Sequence, residues 1–124
     1  MITFDRLILY TKDVEALKNF YQQHFNFLLV EEIKSEWVVL MAGQIQLAFH
    51  RVGKEYEGFN TTHVKHNNAK IVFTIQEDIY LLRAKLINHK VLMREVKSYP
   101  GFNYLLCDGV DPEGNIFQLM QLNN

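Results

Sequence analysis

The sequence has one cysteine, Cys107, so it cannot build a disulfide framework. That absence fits a reducing compartment, and the cytoplasm is the expected location. No apolar run is long enough to span a bilayer, and the opening Met1-Ile2-Thr3-Phe4-Asp5-Arg6 alternates where a secretory leader would be solidly apolar. A membrane partner is therefore not expected. The 13 Lys and Arg form no basic run longer than two. With a net charge of −1 and a pI near 6.5, this excludes the electrostatic footprint of a nucleic-acid binder.

Against these absences stand 48% hydrophobic residues and a generous aromatic set of nine Phe, six Tyr and one Trp. A chain of 124 residues then suits one domain, or two small modules sharing a core. Thr3 to Thr11 alternates and is rich in strand formers. Asp13 can cap a helix over 13–25, where Ala16, Leu17, Phe20, Tyr21 and His24 recur at helical spacing. Strands follow over 27–34, 36–42 and 44–52. Gly53 to Asn68 is polar and irregular and reads as a linker. Beyond it the order restarts: a strand over 69–75, a helix capped by Glu77 or Asp78, and strands over 91–96, 102–108 and 115–122. The last strand is introduced by Asp111-Pro112-Glu113-Gly114, a tight turn in which Asp bonds its own backbone and Gly supplies a positive φ. Arg6 aligns with Lys70 and Gln46 with Gln118, so the chain reads as a repeat of strand–helix–strand–strand–strand. The predicted fold is α+β, a single domain over 1–124 made of tandem βαβββ modules forming a cupped mixed sheet, about 1–52 and 69–124 with linker 53–68.

The turn and strand Asp111-Pro112-Glu113-Gly114-Asn115-Ile116-Phe117-Gln118-Leu119 resembles the Asp-Pro-x-Gly-Asn-x-x-x-Leu signature of the glyoxalase/bleomycin-resistance/dioxygenase group, the vicinal oxygen chelate superfamily. Asp13 to Tyr21 resembles that group's helix opening. The resemblance implies a cupped sheet around a cavity and, in metal-dependent members, an ion held from four strand positions. Carried over, those positions fall at Arg6, Gln46, Lys70 and Gln118. None is an ordinary ligand for a divalent cation, because Arg and Lys offer no acceptor and carry like charge. No metal and no cofactor are therefore expected.

Alternation puts Phe4, Ile8 and Tyr10 on the face of Arg6, and Gln44, Ala48 and His50 on that of Gln46. It likewise puts Val72 and Thr74 with Lys70, and Ile116 and Met120 with Gln118. Arg6 and Lys70 form either an anion-binding centre or ion pairs with Glu31, Glu32, Glu36 or Asp108. Gln46 and Gln118 either orient a ligand or bond each other and the strand edges. Trp37 and Tyr99 can stack on a flat ligand or pack within the protein. The candidate binding set is thus Arg6, Tyr10, Trp37, Gln46, His50, Lys70, Tyr99 and Gln118. No catalytic residue is assigned. His50 is the one histidine placed inward and the sole candidate base. His63 and His66 lie in the linker and read as solvated. Cys107 reads as an inert core thiol.

The reading that follows is a metal-independent small-molecule binder of sequestration or resistance type, with an anionic or aromatic ligand. Two alternatives stand beside it: a metal-dependent lyase or dioxygenase of the same superfamily, and a structural or regulatory dimer with a vestigial pocket. Apolar strand edges, and the resemblance, imply a homodimer.

Overall fold

The computed structural model describes residues 1–53 and 68–123. The chain divides into two compact units, Met1–Val64 and Lys65–Asn124. In the first, strand β1 (Arg6–Thr11) leads to helix α1 (Val14–Phe25) and then to β2 (Leu28–Ile33), β3 (Trp37–Ala42) and β4 (Ile45–Arg51). The sheet order is β1-β4-β3-β2, with β1 parallel to β4 and the other pairs antiparallel. The second unit repeats this with β5 (Lys70–Ile75), α2 (Ile79–Asn88), β6 (Leu92–Met93), β7 (Tyr104–Val110) and β8 (Ile116–Leu122), in the order β5-β8-β7-β6. Each unit is thus a βαβββ module with a four-stranded mixed sheet, and Arg6 and Lys70 each open the first strand of their module.

Local chemistry sets the helix ends. The Asp13 carboxylate accepts from the Ala16 amide at 3.0 Å, and Asn26 closes α1 in the left-handed conformation with its own N–H on the Gln22 carbonyl. Asp78, not Glu77, caps α2, accepting from Tyr80 and Leu81. The Ile79 amide donates to the Gln121 side-chain oxygen at 2.7 Å, which ties the start of α2 to β8.

Alternation then divides each sheet into two faces. In the first module Val38, Leu40, Leu47 and Phe49 are buried, as are Val14, Leu17, Phe20 and Tyr21 of α1. Tyr21 stacks on Phe49 with ring centroids 5.5 Å apart. In the second, Cys107, Phe117 and Leu119 are buried along with Ile79, Leu82 and Leu86 of α2. Gly109 is required there, since a Cβ would lie 2.4 Å from the Phe117 ring and 2.5 Å from the Met93 sulfur.

Two differences from the sequence expectation concern the outer strands. The first strand begins at Arg6 rather than Thr3. The strand expected over 91–96 keeps only Leu92 and Met93 in regular pairing. Arg94 N–H donates to the Asp108 carbonyl at 2.8 Å, and Lys97 exchanges two bonds with Leu106 at 2.8 and 2.9 Å. Glu95 and Val96 together therefore oppose the single residue Cys107, which is a β-bulge. The first module has a bulge at the same place: Leu29 pairs with Leu40 and Glu31 with Val39, leaving Val30 over.

The hairpin between β7 and β8 is closed by Asp111. Its buried carboxylate accepts from the amides of Glu113 and Asn115, both at 2.9 Å, and from the Asn115 side chain. No helix of the described residues is long and apolar enough to cross a membrane.

Candidate functional site

The face of each sheet turned from its helix carries the polar groups, and each module has its own cluster. In the first, Arg6 and Gln46 are direct partners across the parallel pair. Arg6 donates from Nε and Nη2 to Gln46 Oε1 at 2.8 and 2.6 Å. Its guanidinium also lies 3.9 Å from Glu31 and 5.6 Å from the centre of the Trp37 ring. Trp37 Nε1 donates to Glu31 at 3.0 Å, so the indole is fixed at both its face and its edge. His50, exposed, lies between Trp37 and Tyr10 with both centroids 5.5 Å away. Among the described residues no hydrogen bond orients its ring, so no carboxylate prepares it as a base. Val39 and Ala48 are fully buried at the middle of this face, while Ile8, Tyr10 and Met41 are exposed at its rims.

In the second module Lys70 and Gln118 are two residues out of register, Lys70 pairing with Ile116 and Val72 with Gln118. They meet instead on Asp108, the antiparallel partner of Gln118. Lys70 Nζ donates to one carboxylate oxygen at 2.8 Å and Gln118 Nε2 to the other at 2.9 Å. Burial pushes the Asp108 carboxyl up. The hydrogen bonds from Lys70 and Gln118 and the charges of Lys70 and Lys97 outweigh it, holding the group below the ordinary carboxylate range. On the core face, burial pushes the Cys107 thiol up, which keeps it a poor nucleophile.

Beside this triad is a cavity of ≈ 140 Å³ lined by Lys70, Asp108, Gln118, Arg94, Lys97 and Tyr99. Leu106 and Glu95 complete the wall. Tyr99 opens a turn whose Phe102 N–H returns to the Tyr99 carbonyl at 3.2 Å. Gly101 sits in it at φ 88°, as a Pro-Gly turn of this kind requires.

Of the residues singled out from sequence, Arg6, Tyr10, Trp37, Gln46 and His50 thus gather on the first sheet, and Lys70 and Gln118 on the second, with Tyr99 lining the cavity beside them from a turn. Both cations have internal partners drawn from the acids expected for them, Glu31 and Asp108. The two amides bond within their own modules, Gln46 to Arg6 and Gln118 to Asp108. Arg94 and Lys97 were missed, because strict alternation puts residues three apart on opposite faces. The histidines at 63 and 66 lie outside the described residues.

The donor chemistry does not fit a divalent ion at the four positions singled out by resemblance. Gln46 Oε1, the only acceptor that Arg6 and Gln46 offer, receives two N–H groups of a guanidinium. At the other pair an ammonium and an amide N–H both point at Asp108. Among the described residues no three His, Cys, Asp or Glu side chains form a group able to hold a metal.

The model of the Glyoxalase/Bleomycin resistance protein/Dioxygenase superfamily matches residues 3–79, more than half of the chain. The chain belongs to that superfamily. A comparison with curated proteins found no match. Among solved structures, the genomically encoded fosfomycin resistance protein FosX of Listeria monocytogenes has a TM-score of 0.77 at 14% identity, covering 98% of this chain and 93% of that one. A glyoxalase/bleomycin resistance protein/dioxygenase family enzyme from Burkholderia phytofirmans PsJN gives 0.75 at 20% identity, with 98% and 99% covered. The lactoylglutathione lyase of Agrobacterium tumefaciens gives 0.73 at 14% identity, with 96% and 92% covered. At these identities the likeness is one of fold.

Proposed function

We propose that the protein binds a small organic molecule on the polar sheet faces without a metal ion, as a sequestering or resistance-type member of its superfamily. The observation that carries this reading is the occupancy of the Gln46 side-chain oxygen by Arg6 at 2.8 and 2.6 Å. A group so engaged has no lone pair directed at a cation, and an adjacent guanidinium opposes one. What remains is a surface of hydrogen-bonding and stacking groups: Tyr10 and His50 in one module, Tyr99 and Gln118 beside a cavity in the other. The superfamily neighbours include both a lyase and resistance proteins, so membership alone does not choose between chemistry and binding.

The test is a thermal-shift screen of small aromatic and anionic compounds on chelator-treated and untreated protein, together with metal analysis. A ligand that binds only the folded state raises the melting temperature. The expected result is a rise of several degrees that the chelator does not change. A stoichiometric transition metal that survives dialysis, and whose removal abolishes ligand binding, overturns the reading in favour of a metal-dependent lyase or dioxygenase.

A homodimer is part of the same proposal. The edge strand β2 exposes Leu28, Leu29 and Val30 in one run and Ile33 beyond two acids, and such an edge calls for cover. Sedimentation is expected to give twice the 14.7 kDa chain mass. A monomer at micromolar concentration refutes this part alone.

A further inference from the structure

The bulge on the outer strand of the second module changes which side chains share a face. In a regular strand Arg94 and Lys97, three residues apart, would point to opposite sides. The extra residue cancels that reversal: Arg94 bonds the backbone of Asp108, Lys97 that of Leu106, and Asp108 and Leu106 lie on one face of β7. Both cations accordingly line the ≈ 140 Å³ cavity.

The bulge is held from the helix side. The Arg94 carbonyl, displaced from the regular ladder, accepts from Arg83 Nε of α2 at 2.8 Å and from the Cys107 thiol at 3.3 Å. Arg83 also reaches Glu95 at 3.3 Å. This leaves the charges around the cavity unequal. Asp108 is taken by Lys70 at 2.8 Å and Glu95 by Arg83. Arg94 and Lys97 have no ion-pair partner among the described residues; Lys97 contributes only its field at Asp108. Two cations on one wall, with every nearby carboxylate already engaged, make a seat for an oxyanion.

Size and lining narrow the ligand further. A cavity of ~150 Å³ holds about one benzene ring, and this one is close to that volume. Tyr99 and Leu106 provide a flat and an apolar wall, and Gln118 an amide. We propose that Arg94 and Lys97 form an oxyanion-recognition centre and that the ligand is a single-ring aromatic carboxylate or phosphate monoester. Arg83 acts as a positioning residue that keeps the bulge in place. The proposal rests on the reading of the chain as a small-molecule binder and specifies that ligand's class.

The experiment titrates the full chain with benzoate, phenyl phosphate and the neutral isostere benzamide, following affinity by calorimetry. Both anions are expected to bind, benzamide at least about tenfold more weakly, as loss of a charge-assisted contact implies. The variant R94Q/K97Q is expected to reduce benzoate to the benzamide level while its ligand-free melting temperature stays near that of the parent. The single variants serve if the double one folds poorly. R83L is expected to weaken benzoate binding severalfold, with R83K restoring most of it through a retained donor. Benzoate and benzamide binding alike, unaffected by R94Q/K97Q, overturns the oxyanion centre and leaves small-molecule binding standing. If neither these compounds nor a wider neutral panel bind, both readings fall.

Discussion

Opposite Gln46 in the first module stands Met41; opposite Gln118 in the second stands Asp108. The bulges extend the correspondence outward. Leu28 faces Met41 where Arg94 faces Asp108, and Glu31 follows the first bulge where Lys97 follows the second. Position by position the frames match, yet the charges are exchanged. In the first module a lone cation, Arg6, is met by an amide, an acid on the outer strand and an aromatic face. In the second an acid, Asp108, is met by an ammonium and an amide, and the outer strand contributes two cations beside a Glu95 already paired with Arg83. The same backbone thus presents a self-satisfied centre once and a centre with cations to spare once. Under the proposed reading, the ligand-binding chemistry belongs to the second module.

The comparison can be broken most severely through the cores. Phe49→Ala removes a fully buried ring stacked on Tyr21 and is expected to cost about 3–5 kcal/mol, read from denaturant unfolding. If a second, unshifted transition persists, the modules unfold independently. The hairpin turns come next. Asp111→Ala deletes a buried carboxylate with four accepted bonds and is expected to cost on the order of 3 kcal/mol. The corresponding first-module turn relies on Gly43 at φ 72°. There Gly43→Ala strains the backbone and is expected to cost about 1 kcal/mol.

Smaller effects sharpen the charge exchange itself. The folded Asp108 carboxyl lies below its unfolded value of about 3.9, so its stabilising contribution is complete above that pH. It is lost as pH falls through the lower folded value. Asp108→Asn is therefore expected to be less stable than the parent at pH 7, with the difference vanishing in acid. A gap that stays constant down to pH 2 would show that packing, not charge, is responsible. Met41→Asp copies the second module's acid into the first, opposite Gln46 and next to Arg6. It is expected to change stability by less than about 1 kcal/mol at neutral pH, the range of partly exposed pairs. Any gain should disappear on acidification.

The order of elements along the chain, both helices and the division of each sheet into a core face and a polar face were legible in the sequence; the order of strands within each sheet was not. They depend on local chemistry: Asp13 and Asp78 as caps, the alternation through Leu47 and Phe49 or Phe117 and Leu119. Both acid partners of Arg6 and Lys70 were within the set that the sequence offered. The bulges were not legible. A bulge is set by how two strands meet, and nothing in Val91 to Val96 distinguishes a straight strand from one with a residue to spare. For that reason strict alternation would put Arg94 and Lys97 on opposite faces, whereas both line one cavity in the fold.

The Asp111 turn also bears on the order of events as the second module forms. Its bonds join residues two and four positions apart, so they can form before any distant part of the chain has been found. The β7–β8 hairpin that it closes is a contact of short sequence separation. The parallel β5–β8 pair, by contrast, has to bring Lys70 back across the whole of α2 to reach Ile116. Chain entropy opposes that closure until a surface exists to receive it. The turn is therefore the expected starting point of assembly, and Asp111→Ala is predicted to slow folding far more than it speeds unfolding.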